Sequence, residues 1–325
     1  MLKRNITFVL LTGVFAVLHA QDPHFSNFWA TPYYINPSFI SALTDPVAGA
    51  TYRNQWPGLS SAYVTYGAFF SQPVENLNST IGLSLLHDIQ GDGVLTRTGF
   101  NALYSYAIKI NKQVSLSAGL QLSYNINKVN TGKLVFESDL TGSNPGTNML
   151  GNEKISSGFA DFVLGFTAFI GENFFTGFSA HHLTKARIDY SESYAENLYP
   201  RYIFQVGGNL SADTRNYKDK IIFKPGLQLQ LQDKYTELLY GSSAVINPFV
   251  IGLWARNDLK FNFDALILLA GFSRNEYNFY YSYDVNMKNM HFFSPGIGAH
   301  EVTFLYKFKY NEKRKKYRAI KCSDI

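Results

Sequence analysis

The chain has 325 residues, 46% hydrophobic and 16% charged, with 22 tyrosines, 27 phenylalanines and a single cysteine, Cys322. One cysteine excludes an internal disulfide framework and a multi-cysteine metal site, and no apolar run reaches the roughly 18 residues that a spanning helix needs. The formal charge of +5 is concentrated at the end, where residues 307–325 carry eight Lys/Arg against Glu312 and Asp324, so the body of the mature chain is mildly acidic and nucleic-acid binding is not implied.

Residues 1–20 begin with Lys3 and Arg4, continue with an apolar run from Ile6 to Leu18, and end on a small residue, Ala20. That is the layout of a secretory leader cleaved near Ala20, and it predicts an exported protein. Residues 21–46 are rich in aromatics (Phe25, Phe28, Trp29, Tyr33, Tyr34, Phe39) and contain Pro23, Pro32, Pro37 and Pro46, which argue against a regular strand. This stretch is expected to be an arm that plugs a barrel lumen, docks at its rim or packs loosely beside it.

From Val47 onward the chain alternates. Candidate strands follow at 47–56, 60–71, 79–88, 96–110, 113–127, 157–170, 173–184, 200–211, 220–232, 237–245, 247–256, 259–271, 275–285 and 299–309. The clearest is Val114 to Ile126, where Val114, Leu116, Ala118, Leu120, Leu122, Tyr124 and Ile126 alternate with Ser115, Ser117, Gly119, Gln121, Ser123 and Asn125. Successive strand side chains point to opposite faces, so this segment has one apolar face and one of small, uncharged polar groups. It exceeds the roughly 5–6 residues of soluble strands and suits the roughly 9–11 that a tilted strand needs to cross a bilayer.

Connection lengths point the same way. Asn111-Lys112 and Gly171-Glu172 are tight turns on one side, whereas 128–156, 185–199 and 286–298 are long and all fall on the other. Outer-membrane barrels have short periplasmic turns and long external loops in this alternation. The predicted fold is therefore all-β: a transmembrane antiparallel β-barrel of about fourteen strands over 47–310, in contact with outer-membrane lipid. The segment Gly298 to Phe308 resembles the C-terminal signal by which such barrels are inserted. A basic tail, 311–325, would share the periplasmic side with the N-terminus.

Few residues suggest chemistry. His181 and His182 are adjacent on a predicted strand, so they should face opposite ways and not chelate together. His24, His87, His291 and His300 lack ligand spacing, and no serine–histidine pair with an orienting partner can be assembled, so neither an enzyme nor a metal or other cofactor is expected. The Asp88–Gly93 turn carries two carboxylates and two glycines but not the ligand set of a calcium loop, and a solvated hairpin is the better reading. The block Tyr52-Arg53-Asn54-Gln55-Trp56-Pro57 joins a cation, two amides and an indole to a turn. Trp with Arg is the composition of binding hot spots, so Arg53, Asn54, Gln55 and Trp56 are candidate partner-binding residues, Arg53 and Trp56 bracing the arm or meeting a partner; the alternative is a rim turn with Trp56 in the aromatic girdle. Lys313, Arg314, Lys315 and Lys316 form a second candidate patch, for periplasmic partners or anionic headgroups.

Four blocks carry a family resemblance: Gln21-Asp22-Pro23-His24-Phe25-Ser26, Tyr34-Ile35-Asn36-Pro37-Ser38, Tyr52-Arg53-Asn54-Gln55-Trp56-Pro57, and Gly298-Ala299-His300-Glu301 before a basic tail with one cysteine. Together they resemble the PorP/SprF outer-membrane proteins of Bacteroidetes. The resemblance implies a non-catalytic part in the type IX secretion system and, in gliding species, in the motility apparatus. Its implied partners are periplasmic and outer-membrane secretion components and a secreted adhesin cargo for which the barrel is receptor or anchor. The alternative function is a diffusion channel or hydrophobic-solute transporter.

Overall fold

Each alternating segment becomes a wall strand in the computed structural model, which describes residues 22–59, 63–133, 154–171, 173–189, 195–212, 221–287 and 298–309. The strands are β1 (Val47–Gln55), β2 (Tyr63–Val74), β3 (Ser79–Gln90), β4 (Leu95–Lys109), β5 (Val114–Asn130), β6 (Lys154–Ile170), β7 (Phe174–His181), β8 (Arg187–Asp189), β9 (Ala195–Asn197), β10 (Arg201–Gly208), β11 (Leu210–Ala212), β12 (Ile221–Gln232), β13 (Tyr235–Ile246), β14 (Phe249–Asn257), β15 (Phe263–Arg274), β16 (Tyr277–Asn286) and β17 (Ala299–Lys307). All wall pairings are antiparallel between chain neighbours, and β1 closes on β17 from Val47↔Lys307 to Gln55↔Ala299. On β12, β11 continues the register of β10, so the two are one wall strand and the barrel is closed with fourteen strands. β8 and β9 form a separate hairpin within the β7–β10 connection, with Ile188 packed against Phe159 and Leu198.

The two faces of the wall separate as the alternation requires. On β5, Ser115, Ser117, Ser123 and Asn127 are buried toward the lumen while Leu116, Leu122 and Tyr124 are exposed on the outside. Exposed Tyr66, Phe70, Phe100, Phe204, Phe249, Phe279 and Phe304 continue the outer apolar surface around the barrel. In water such a surface would be a liability, whereas in lipid it is the matching solvent. The closed antiparallel ladder leaves no free sheet edge, as a crossing without water demands.

The strands define a long-loop end, at the connections β5–β6, β7–β10 and β16–β17, and a short-turn end, where β4–β5, β6–β7, β13–β14 and β15–β16 meet. β2 occupies 63–74 and not 60–71, because Gln72, Pro73 and Val74 still pair with β3; the connection after it shrinks to a turn with a 3₁₀ segment at Glu75–Leu77. The arm also departs from expectation. Asp22 sits at the long-loop end, held by Arg97, His182 and Arg201, and the chain then descends the lumen to Pro46, whose carbonyl accepts from Phe308 N–H (2.9 Å) at the short-turn end. The start of the arm and the end of β17 therefore lie at opposite ends of the barrel, not on the same side.

Candidate functional site: the plugged lumen

The arm is irregular because its sequence is. Pro32 opens a one-turn helix (Pro32–Ile35), Asn36 ends it, and Pro37 opens a 3₁₀ segment (Pro37–Ala42). Proline suits both first positions because the donor it lacks would have had no intrahelical partner. Asn36 joins arm to wall: its Oδ1 accepts from Ser38 N (3.0 Å) and Ser38 Oγ (2.6 Å), while its Nδ2 donates to the carbonyls of Phe166 and Phe178 (3.3 Å each). The wall makes room at two glycines. A Cβ on Gly119 would stand 2.2 Å from Ser38 N, and one on Gly165 would stand 2.0 Å from Asn36 Oδ1. Any side chain there would push the arm off the wall.

Around this staple the arm's aromatics fill the bore. Phe28 and Ile35 pack with Ile203, Leu239, Trp254 and Ile267 on one side, and Tyr33 and Ile40 with Val47, Phe69, Leu103 and Leu305 on the other. Tyr33 stacks on Phe69 (4.2 Å between ring centroids), and Phe39 meets Phe175 edge-on (5.1 Å). These contacts come from strands all round the barrel, so the plug belongs to the core of the molecule.

Toward the long-loop end the contacts become ionic and form three latches. At the first, Asp22 takes Arg97 Nη1 on Oδ1 (2.7 Å) and His182 Nε2 on Oδ2 (2.5 Å), with Arg201 Nη1 at 3.5 Å. His182 Nδ1 faces Asp161 (2.6 Å), so each ring nitrogen meets a carboxylate, an arrangement that needs both N–H groups and hence the imidazolium. Burial opposes that charge, but the Asp22 and Asp161 carboxylates outweigh it and hold the His182 pKa above its ordinary value. Burial likewise opposes ionised Asp22, yet His182, Arg201 and Arg97 hold its pKa well below the usual carboxylate range.

At the second latch His24 Nε2 lies 2.5 Å from Arg256 Nη1 and its Nδ1 lies 3.3 Å from Glu237. At the third, Glu301 accepts the backbone N–H groups of Ser26 (2.7 Å) and Asn27 (3.1 Å), while Ser26 Oγ donates to Asp284 (2.7 Å). Arg53 completes it, donating to Ser26 Oγ (2.7 Å), Glu301 (3.1 Å) and Asp284 (2.9 Å) from a position only 2% exposed. Arg53 and Glu301 are direct partners across the β1–β17 seam, so the latch and the closure share residues.

Of the sequence-predicted site residues, Arg53 is in the lumen against the arm. Asn54 and Gln55 follow it at the end of β1, half-buried. Trp56 turns away at positive φ (57°), donates its backbone N–H to Gly298 O (2.8 Å) and meets Tyr63 edge-on (5.5 Å). Lys313, Arg314, Lys315, Lys316 and Cys322 lie outside the described residues. His181 and His182 do not face opposite ways: β7 ends at His181, and His182 takes positive φ (58°), so both rings turn to the arm. His181 donates from Nε2 to Ile35 O (2.8 Å) and receives Arg201 Nη2 on Nδ1 (3.0 Å). Asp88 is likewise drawn inward, accepting from Thr65 (2.6 Å), which takes it out of the hairpin turn. Among the described residues no cluster of His, Cys, Asp or Glu is placed to hold a metal ion.

Asp161, Glu237, Arg256 and Asp284 were not singled out from sequence, and Asp22 and Asn36 stood there only within the blocks that carry the family resemblance. The available signal was their parity: each of the four on strands occupies the face opposite the lipid-facing apolar row. A charge there needs a partner in the lumen.

With this geometry in place the comparison with protein families decides the matter: the model described as "Type IX secretion system membrane protein PorP/SprF" matches residues 17–306. The chain belongs to the PorP/SprF family. It is thus an outer-membrane barrel protein of the type IX secretion system. A comparison with curated proteins returns no match. Among solved structures this PorP/SprF chain is similar to the Ralstonia pickettii toluene transporter TbuX (9% identity, TM-score 0.47, covering 86% of this chain and 94% of that one). It is also similar to a Pseudomonas aeruginosa FadL homologue (12%, 0.46, 87% and 98%) and to CdiB from Acinetobacter baumannii (8%, 0.44, 82% and 60%).

Proposed function

We propose that this PorP/SprF protein is a non-catalytic, non-conducting docking component of type IX secretion, serving as receptor or anchor for a secreted adhesin. The observation that carries the reading is the filled lumen, because a fourteen-strand bore occupied by the chain's own arm offers no passage and cargo has to pass elsewhere. Docking then falls to the two ends. At the long-loop end the candidate surface is the rim around Asn54, Gln55 and Trp56, with Arg53 beneath it tying that rim to the arm. At the other end it is the basic patch Lys313–Lys316, directed to periplasmic components or anionic headgroups. Deleting residues 311–325 tests the second surface: loss of co-purifying secretion components or of adhesin export is expected, and unchanged co-purification with unchanged export would overturn it. A channel or hydrophobic-solute transporter, which can also use a plugged barrel, is the rival reading, and it requires a path past the seated arm.

A further inference from the structure

Neighbouring wall strands differ in height on one side of the barrel. β6 runs from Lys154 to Ile170, but its ladder with β7 stops at Leu164↔Ala180, whereas its ladder with β5 continues to Asn130↔Lys154. A tilted strand crosses a bilayer in roughly 9–11 residues, so with Ile170 at the short-turn end, residues 154–159 stand clear of lipid on the long-loop, external side. Just past β7, Leu183 N–H donates to Phe162 O (3.2 Å) and Thr184 Oγ1 donates to Ala160 O (3.3 Å). The chain then turns inward, and Ile188 and Leu198 cover Phe159 on the lumen side. Backbone groups of strand residues two apart point the same way, so the N–H and C=O of Gly158 and Ser156 also face the β7 side. Among the described residues no strand pairs with them there.

Proteins ordinarily guard such an edge with proline, charge or a covering strand. Here the outward side chains are Ser156, Gly158 and Ala160, all small and exposed. A second chain can therefore approach to the ladder spacing of about 4.8 Å. The surroundings carry charge of one sign: residues 124–130, 155–160 and 183–188 contain Lys128, Lys185 and Arg187 and no Asp or Glu. These three side chains are exposed, and Lys128 is the direct ladder partner of Ser156.

We propose that this external edge of β6 docks an extended, acidic segment of an exported partner, which adds a strand in line with β7 and pairs with Gly158 and Ser156. Main-chain bonds supply the affinity of such an added strand. The basic surroundings select a segment with Asp or Glu at alternate positions, where their carboxylates reach Lys128 and Lys185. That the partner is exported rests on the docking reading above; the edge and its charge do not.

The test uses the purified full-length protein in detergent micelles and two short fluorescent peptides, one of alternating Thr and Glu and one of alternating Thr and Lys, with binding read by anisotropy. The Thr-Glu peptide is expected to bind, less tightly as salt rises, and the Thr-Lys peptide is not. Equal binding of both, or binding of neither, overturns the proposal. Binding of the Thr-Glu peptide only after residues 134–153 are shortened assigns the edge to the chain's own loop and overturns it as well. Ser156→Pro removes the N–H on the β7 side while sparing the β5 ladder, and is expected to lower affinity about tenfold. Unchanged affinity in a folded, heat-modifiable Ser156→Pro barrel means that charge acts alone, which overturns strand addition. Lys128→Glu combined with Lys185→Glu is expected to reverse the peptide preference, and it carries the test if the proline variant does not fold; an unchanged preference overturns the acidic partner. These outcomes leave the docking reading itself to the co-purification and export test.

Discussion

Arg53→Ala is the substitution whose consequence can be worked furthest. The guanidinium is 2% exposed and supplies three bonds, to Ser26 Oγ, Glu301 and Asp284. Removing one partner of a buried ion pair costs about 3–5 kcal/mol, because the carboxylate left behind is neither solvated nor neutralised. Asp284 keeps Arg256 at 3.0 Å, but Glu301 keeps only the Ser26 and Asn27 amides, so the lower half of that range applies. At about 1.4 kcal/mol per tenfold, about 3 kcal/mol shifts the seated arm toward release by on the order of a hundredfold. Because Ser26 and Asn27 belong to the arm and Glu301 to the wall, the loss should appear as arm opening while the strand ladder persists. Limited proteolysis in detergent micelles reads this directly, since cleavage follows the open population when reclosing is fast. Cleavage within residues 22–46 should accelerate by that factor in Arg53→Ala, less in Arg53→Lys, and not in Tyr52→Ala, whose side chain is outward and exposed. Equal arm cleavage in Arg53→Ala and Tyr52→Ala would refute the latch.

Further expectations follow from the same geometry. Gly119→Ala should unseat the arm at its waist, because the new Cβ would meet backbone atoms of Pro37 and Ser38 at 2.2–2.6 Å; the overpacking cost is about 1–3 kcal/mol and should show as faster arm proteolysis and a lower unfolding temperature. Leu120→Arg should hinder insertion at about 2–4 kcal/mol near the bilayer midplane, while Gln121→Arg should be tolerated; folded-barrel yield compares them, and the reverse ranking would invert the assignment of inside and outside. The first latch should also depend on pH. Asp22 is depressed, so its contribution is full above its unfolded value and fades as pH falls through the lower folded one; His182 is raised, so its contribution is full below its unfolded value and fades as pH rises through the higher folded one. Arm protection should therefore be greatest between about pH 4 and 6.5 and weaken on the alkaline side. His182→Gln should abolish the alkaline decline, and an unchanged profile in that variant would remove His182 from the latch.

The barrel was legible because its signal is local. Alternation at Val114–Ile126 needs only neighbouring residues, and connection lengths needed only counting, so the wall, its strand number and its two faces could be read directly. The arm was harder. Pro23, Pro32 and Pro37 erase periodicity, so composition identified an aromatic non-strand without saying where it packed. The row Ser117, Gly119, Gln121 held a clue in hindsight: a lumen face of small residues leaves space, and that space is filled by Pro37 and Ser38. The latches were not legible because they join residues far apart in sequence, such as Ser26 with Asp284 and Asp22 with Arg201, which only the closed register brings together. His182 was misplaced for a narrower reason: strand parity fails one residue past the end of β7, where the backbone turns to positive φ.

Single-channel recording in planar bilayers tests the central claim most directly. The full-length protein is predicted to give no stable conductance, because the arm is packed from Asp22 to Ala42, and a variant lacking residues 22–45 is predicted to open. Stable conductance of the intact protein, equal to that of the arm-less variant, would contradict the account.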